Sequence, residues 1–314
     1  MNLFASLTQA LDVTIPICAL ILLGTLLKHR HWINDDFIQI GTTLVFRASM
    51  PTLIFFAVLN ASLAHLNPRL LVFFAIATVA SFLFSWIWAR FRIASRDRGA
   101  FVQGAFRGNG SILGIAFSSG MYGPTGVSLA ALLVAVLIPV YNILSVIVLA
   151  VYQRNSDGIN VLKILTGILK NPLIQSVIAA VIWRTLRIPM PEWLARSGHD
   201  LASLTLPLAL LCIGGALSFK GLKETSRSLF EAVALKTLLL PILMTLTALL
   251  VGYRGAELGT LFIYFASPTA TSAFVMAVAM GANKELTAGI IALSTLTAMI
   301  TVSIGLCLIQ YSGL

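Results

Sequence analysis

Between Arg107 and Arg154 the chain carries no aspartate, glutamate, lysine or arginine. A run of that length exceeds one membrane-crossing helix, which needs about 20 mostly apolar residues. The segment Gly120–Gly126 (GMYGPTG) divides it in two, because glycine and proline both interrupt helices. The same rhythm of charge-free run and short charged gap continues along all 314 residues. It predicts ten spans, at roughly 11–28, 37–60, 69–90, 100–120, 127–152, 171–188, 200–218, 229–252, 257–281 and 286–311. Charged residues make up 10% of the chain, against about 25% in soluble domains. That balance excludes a disordered chain and argues against a water-soluble enzyme. The fold class expected is an all-α polytopic membrane protein in the lipid bilayer. The sixth span is short, and Lys170 and Arg184 at its ends would have to snorkel. Before it, residues 154–170 place Ile159, Leu162, Leu165 and Leu169 at the spacing of a short interfacial helix.

Basic residues set the orientation. With the N-terminus outside, the inner gaps hold 13 lysines and arginines and the outer gaps hold 5. Positive charge accumulates on the cytoplasmic side, so N- and C-termini are both expected to be periplasmic, in a bacterial inner membrane. The net charge of +10 is thus loop charge, and no nucleic-acid partner is expected. Cys18, Cys212 and Cys307 lie in apolar runs without paired spacing, which offers neither a disulfide framework nor a metal cluster. The first residues lack a basic leader region, so no cleavable signal is expected.

The chain resembles itself at an offset of 156. Pro16 and Pro172 are separated by it, as are Pro51 and Pro207, and their contexts agree: SMPTLIFFAVL beside TLPLALLCIGG. Two halves follow, 1–156 and 157–314, each of five spans. Five is odd, so the second half crosses the membrane in the opposite sense. Inverted repeats of this kind place substrate sites near the midplane, where the copies meet.

The fourth span of each half is interrupted. The first reads Arg107-Gly108-Asn109-Gly110-Ser111-Ile112-Leu113-Gly114, the second Phe265-Ala266-Ser267-Pro268-Thr269-Ala270-Thr271-Ser272. Such breaks free backbone groups at membrane depth, and protein, water or ligand must satisfy them. Asn109, Gly110, Ser111, Ser267, Pro268 and Thr269 are therefore the candidate substrate contacts, facing one another across a cavity. Gly104, Gly108, Gly110 and Gly114 also fit the small-residue spacing that lets helices approach, so packing stays open beside it. Charges within spans are costly and usually functional. Arg107 is the candidate anion contact, the competing reading being that it lies barely two turns into its span and snorkels inward. Arg47 would line the cavity or pair with Asp12 or Glu231, and Lys236 would pair locally with Glu231. No buried histidine relay, catalytic serine–histidine set or phosphate-binding loop is present, so no enzyme activity, cofactor or ATP drive is expected.

Four segments, NPLIQSVIAAVIW, LPLALLCIGGAL, GNGSILGIAF and ASPTATSAFVMA, resemble the auxin efflux carrier family of the bile acid/arsenite/riboflavin transporter superfamily. The likeness covers essentially the whole chain, without the long central loop of the plant PIN-formed carriers. One departure is Ala116, where relatives often carry proline; the first crossover would then be either more regular than usual or broken on Gly108 and Gly110. The resemblance implies ten helices in two inverted five-helix repeats. Spans 1, 2, 6 and 7 would be a scaffold, and spans 3–5 and 8–10 a moving transport unit with elevator-like motion. It also implies a small organic anion as substrate, such as malate or malonate, carried by facilitated or proton-linked transport, with a homodimer among the assemblies left open. A sodium-coupled symporter is the competing reading, with neutral oxygen ligands drawn from Asn109, Ser111, Thr269, Thr271, Thr295 and Thr297. A non-transporting membrane sensor is a third, and the shortness of every loop argues against it.

Overall fold

The computed structural model describes residues 3–60, 68–152, 172–216 and 227–314. Its named elements are all helical. The first group is α1 (Leu3–His29), α2 (Asp35–Leu44), α3 (Met50–Asn60), α4 (Pro68–Arg92), α5 (Ser95–Phe106) and α6 (Ile115–Tyr152). The second is α7 (Pro172–Thr185), α8 (Glu192–Ser203), α9 (Thr205–Ala216), α10 (Arg227–Ala234), α11 (Leu240–Val251), α12 (Gly255–Ala266), α13 (Ser272–Ala279) and α14 (Lys284–Tyr311). Among the described residues, six continuous helical stretches are long and apolar enough to cross a membrane. Ile40, Ile76 and Leu250 are 69%, 64% and 87% exposed, an outward apolar surface that water would penalise and lipid would not.

Local chemistry explains the joints. Asn34 begins α2 by accepting the Phe37 N–H on its side chain, which satisfies one of the free donors of the first turn. Asn283 does the same for α14 through Leu286, and its amide also donates to Asp97. Wide π-helical turns, Val45–Ser49 and Leu235–Leu239, precede Pro51 and Pro241. A proline ring displaces the carbonyl four residues earlier, here those of Arg47 and Thr237, and a wider turn relieves the clash. α6 is bent at Gly123, with φ 54° and ψ −140°, a conformation that costs a residue with Cβ dearly. The division expected inside GMYGPTG therefore falls on its second glycine. Ala116 is helical, and the first break precedes it. The interfacial helix expected around 159–169, with Lys170, lies outside the described residues.

The helices pack in two groups. α1 lies along α9, α3 along α7 and α8, and α2 against α9. α4, α5 and α6 pack together and onto α10–α14. Contacts of α1 with α14, and of α3 with α6, join the groups.

Corresponding boundaries drift in register. The ends of α1 and α7 (His29, Thr185) are 156 apart, and the starts of α2 and α8 (Asp35, Glu192) are 157 apart. The starts of α5 and α12 (Ser95, Gly255) are 160 apart, and so are their ends (Phe106, Ala266). At a separation of 160, Gly108 rather than Ile112 stands at the place of Pro268.

Candidate functional site

α5 stops at Phe106 and α12 at Ala266, each after 12 residues. Arg107 and Ser267 then leave helical backbone angles, and the two short segments meet in a single antiparallel β-bridge between Gly108 and Thr269. The Asn109 N–H donates to the Pro268 carbonyl at 2.7 Å, and the Ala270 N–H to the Arg107 carbonyl at 3.2 Å. Groups freed by one broken helix thus satisfy those freed by the other, as burial away from water demands. Pro268 has no N–H and occupies a place where only its carbonyl is used. The chain resumes a π-helical turn at Gly110, leading into α6, and α13 at Ser272.

The glycines serve both proposed purposes. A Cβ on Gly110 would lie 2.7 Å from the Tyr264 ring, one on Gly114 2.9 Å from it, and one on Gly104 2.8 Å from Ile290. Tyr264 is fully buried, and its hydroxyl donates to the Ala130 carbonyl at 2.5 Å. These three glycines are therefore packing positions. Gly108 is the crossing point itself: a Cβ there would lie 2.9 Å from both Lys236 Nζ and Ser267 Oγ.

Two cations are buried at this crossing, Arg107 at 7% exposure and Lys236 at 2%. Among the described residues no aspartate or glutamate is buried. The Arg107 guanidinium donates to Ser145 Oγ (2.9 Å), Asn142 Oδ1 (3.0 Å), Ser272 Oγ (3.1 Å) and the Tyr141 carbonyl (3.2 Å), all neutral. Its Nε has no partner. Lys236 donates to the Phe265 carbonyl at 3.0 Å. Taking a charge out of water costs several kcal/mol even after relaxation, and neutral acceptors recover part of that. The crossing thus holds positive charge that no buried acid in the described chain balances.

Each expected contact has a definite place. Asn109 is 5% exposed and makes no capping hydrogen bond to the turn it precedes. Ser111 is half-buried in that turn's first residues, where backbone N–H groups lack intrahelical partners. The Ser267 and Thr269 hydroxyls donate to the Tyr264 and Gly104 carbonyls, both at 2.7 Å. The breaks meet through backbone pairing, where the sequence had predicted a cavity between them. Thr295 and Thr297 donate to carbonyls of their own helix. Arg47 is exposed and borders a separate cavity of about 630 Å³ between α3, α7 and α8, lined also by Gln175 and Trp183. It pairs with neither Asp12 nor Glu231 among the described residues. Glu231 instead accepts from Trp88, Arg92 and Arg227. Its pairing with Lys236 is therefore also overturned. Lys236, expected as a local partner of Glu231, is instead buried at the crossing and bonded to a carbonyl.

An apolar helical bundle with two broken helices crossing in its interior has the architecture of a membrane carrier. Residues 10–163 and 153–306 match the family described as membrane transport protein, and the chain belongs to this family, that of the auxin efflux carriers. It is an integral membrane protein. It is also similar to an uncharacterized transporter of Methanothermobacter thermautotrophicus, with 21% identity over 293 residues that cover 92% of this chain and 95% of the relative.

Proposed function

We propose that this protein is a secondary carrier of a small organic anion, a carboxylate, and that the crossing of the two broken helices is its binding site. The observation that carries the reading is the pair of buried cations, Arg107 and Lys236, with no buried acid among the described residues. A carboxylate arriving there supplies the missing negative charge, and interactions between charges strengthen where water is excluded. The N-terminal turn at Gly110–Ser111 offers N–H donors and the positive end of a helix dipole. Asn109, whose side chain does not cap that turn, is the neutral ligand that orients the substrate.

Ten spans in two inverted five-span repeats, 1–156 and 157–314, provide the moving parts. The packing of α1–α3 with α7–α9, apart from α4–α6 with α10–α14, supports a fixed scaffold and an elevator-type transport unit. The basic asymmetry of the loops supports periplasmic termini in a bacterial inner membrane. The test is counterflow in proteoliposomes loaded with each of a panel of mono- and dicarboxylates, malate and malonate included. Exchange of at least one labelled carboxylate supports the reading. Exchange of organic cations or neutral solutes, with none of carboxylates, removes it.

A further inference from the structure

Lys236 needs an explanation other than an ion pair. It lies in the π-helical turn Leu235–Leu239, a wide turn of a kind often found at functional sites. Its ammonium sits against the C-terminal end of α12. It donates to the Phe265 carbonyl at 3.0 Å, and Nζ, Ser267 Oγ and the Tyr264 carbonyl all crowd the same face of Gly108, at 2.9, 2.9 and 3.2 Å from where a Cβ would stand. Tyr264 and Phe265 belong to the last turn of α12. Carbonyls of a last turn lack intrahelical donors and form the negative pole of the helix. The Phe265 carbonyl holds the ammonium directly, the Tyr264 carbonyl beside it takes the Ser267 hydroxyl at 2.7 Å, and the C-terminal ends of broken helices are where carriers seat their coupling ions.

We infer that Lys236 is a tethered cation, whose ammonium fills the seat at the C-terminal end of α12 that a free coupling ion would otherwise occupy, so that the protein works without sodium. Gly108 belongs to the same device, because any side chain there would displace Nζ or Ser267 Oγ. The seat is a feature of the crossing whatever is carried; its consequence for transport rests on the carrier reading above.

Two measurements on the full chain test this. The first is thermal unfolding of purified protein in choline chloride, sodium chloride or propylammonium chloride at equal ionic strength. Wild type should melt within about 1 °C in all three. Lys236→Ala removes three carbons and the ammonium, and propylammonium restores those atoms. At about 100 mM it should raise the variant's melting temperature by roughly 2–4 °C over choline, which a weakly bound ligand produces, while 1-propanol should not. A sodium-dependent rise in wild type would show an open seat and overturn the inference. A variant indifferent to propylammonium would reduce Lys236 to a structural hydrogen bond and overturn it equally. The second measurement is labelled-malate counterflow, expected to be unchanged in wild type when choline replaces sodium, lost in Lys236→Ala and recovered with propylammonium. Sodium-dependent counterflow in wild type overturns the inference. If wild type exchanges no carboxylate, the carrier reading fails while the melting data still decide the cation seat.

Discussion

Gly110 lies where the first broken helix resumes, close against the Tyr264 ring and Leu137. A methyl added there would stand 2.7 Å from Tyr264 Cδ1 and 2.8 Å from Leu137 Cδ1. To reach ordinary contact at 3.4 Å the ring must retreat by about 0.7 Å. The ring is held, because its hydroxyl donates to the Ala130 carbonyl at 2.5 Å and Phe74 stacks edge-on against it at 5.5 Å. Overpacking a filled interior costs about 1–3 kcal/mol. Alanine in place of helical glycine returns roughly 0.5–1 kcal/mol, so Gly110→Ala should cost about 1 kcal/mol net and Gly110→Val, which adds bulk without that gain, about 3 kcal/mol. At roughly 2–4 °C per kcal/mol, the melting temperature should fall by about 2–4 °C and 6–12 °C respectively. Thermal unfolding of the purified protein measures both. Adding Tyr264→Leu to Gly110→Val should recover part of the loss, because the two positions share one contact. A Gly110→Val protein as stable as wild type, or a double variant whose losses simply add, would refute the claim that Tyr264 wedges the crossing in place.

Asn109→Ala should abolish carboxylate counterflow while leaving the folded yield in detergent close to wild type, which size-exclusion chromatography reports; normal transport would leave the first break as packing only. Arg107→Gln should weaken apparent affinity by about tenfold, the loss expected for one charge-assisted interaction, with measurable flux remaining in the same counterflow assay. Some loss of folded protein should accompany it, since Ser145, Asn142 and Ser272 lose their shared donor. Green fluorescent protein fused after Leu314 should stay dark if the C-terminus is periplasmic; bright, correctly inserted protein would reverse the orientation.

The all-helical class and the two breaks were legible because membrane solvation is severe. Charged residues collect in gaps, and the breaks fall where Gly108 and Pro268 stand, since backbone groups can leave a helix at that depth only with other partners. The family followed from the same segments. Register was less legible: a repeat reads as one offset only while connections keep equal length, and the step from 156 to 160 arises between elements, where no periodicity constrains the count. Side-chain direction was least legible. Glu231 and Lys236 are five residues apart, which puts them on different faces of a helix, whereas partners three or four apart meet. Arg107 stands one residue beyond the end of α5, so helical spacing could not show that it would reach Ser145 and Ser272. The Ser267 hydroxyl donates to Tyr264 three residues back, a local bond that short polar side chains commonly make, whereas that of Thr269 reaches Gly104 across the crossing, which no local pattern reveals.

The central claim is that two buried cations at the helix crossing bind a carboxylate. Equilibrium binding of a labelled carboxylate, chosen by counterflow, to purified wild type and to Asn109→Ala and Arg107→Gln tests it most directly. The account predicts saturable binding to wild type that other carboxylates displace and that organic cations do not, about tenfold weaker in Arg107→Gln and undetectable in Asn109→Ala. Equal affinity in all three proteins would contradict it, and would move the site away from the crossing.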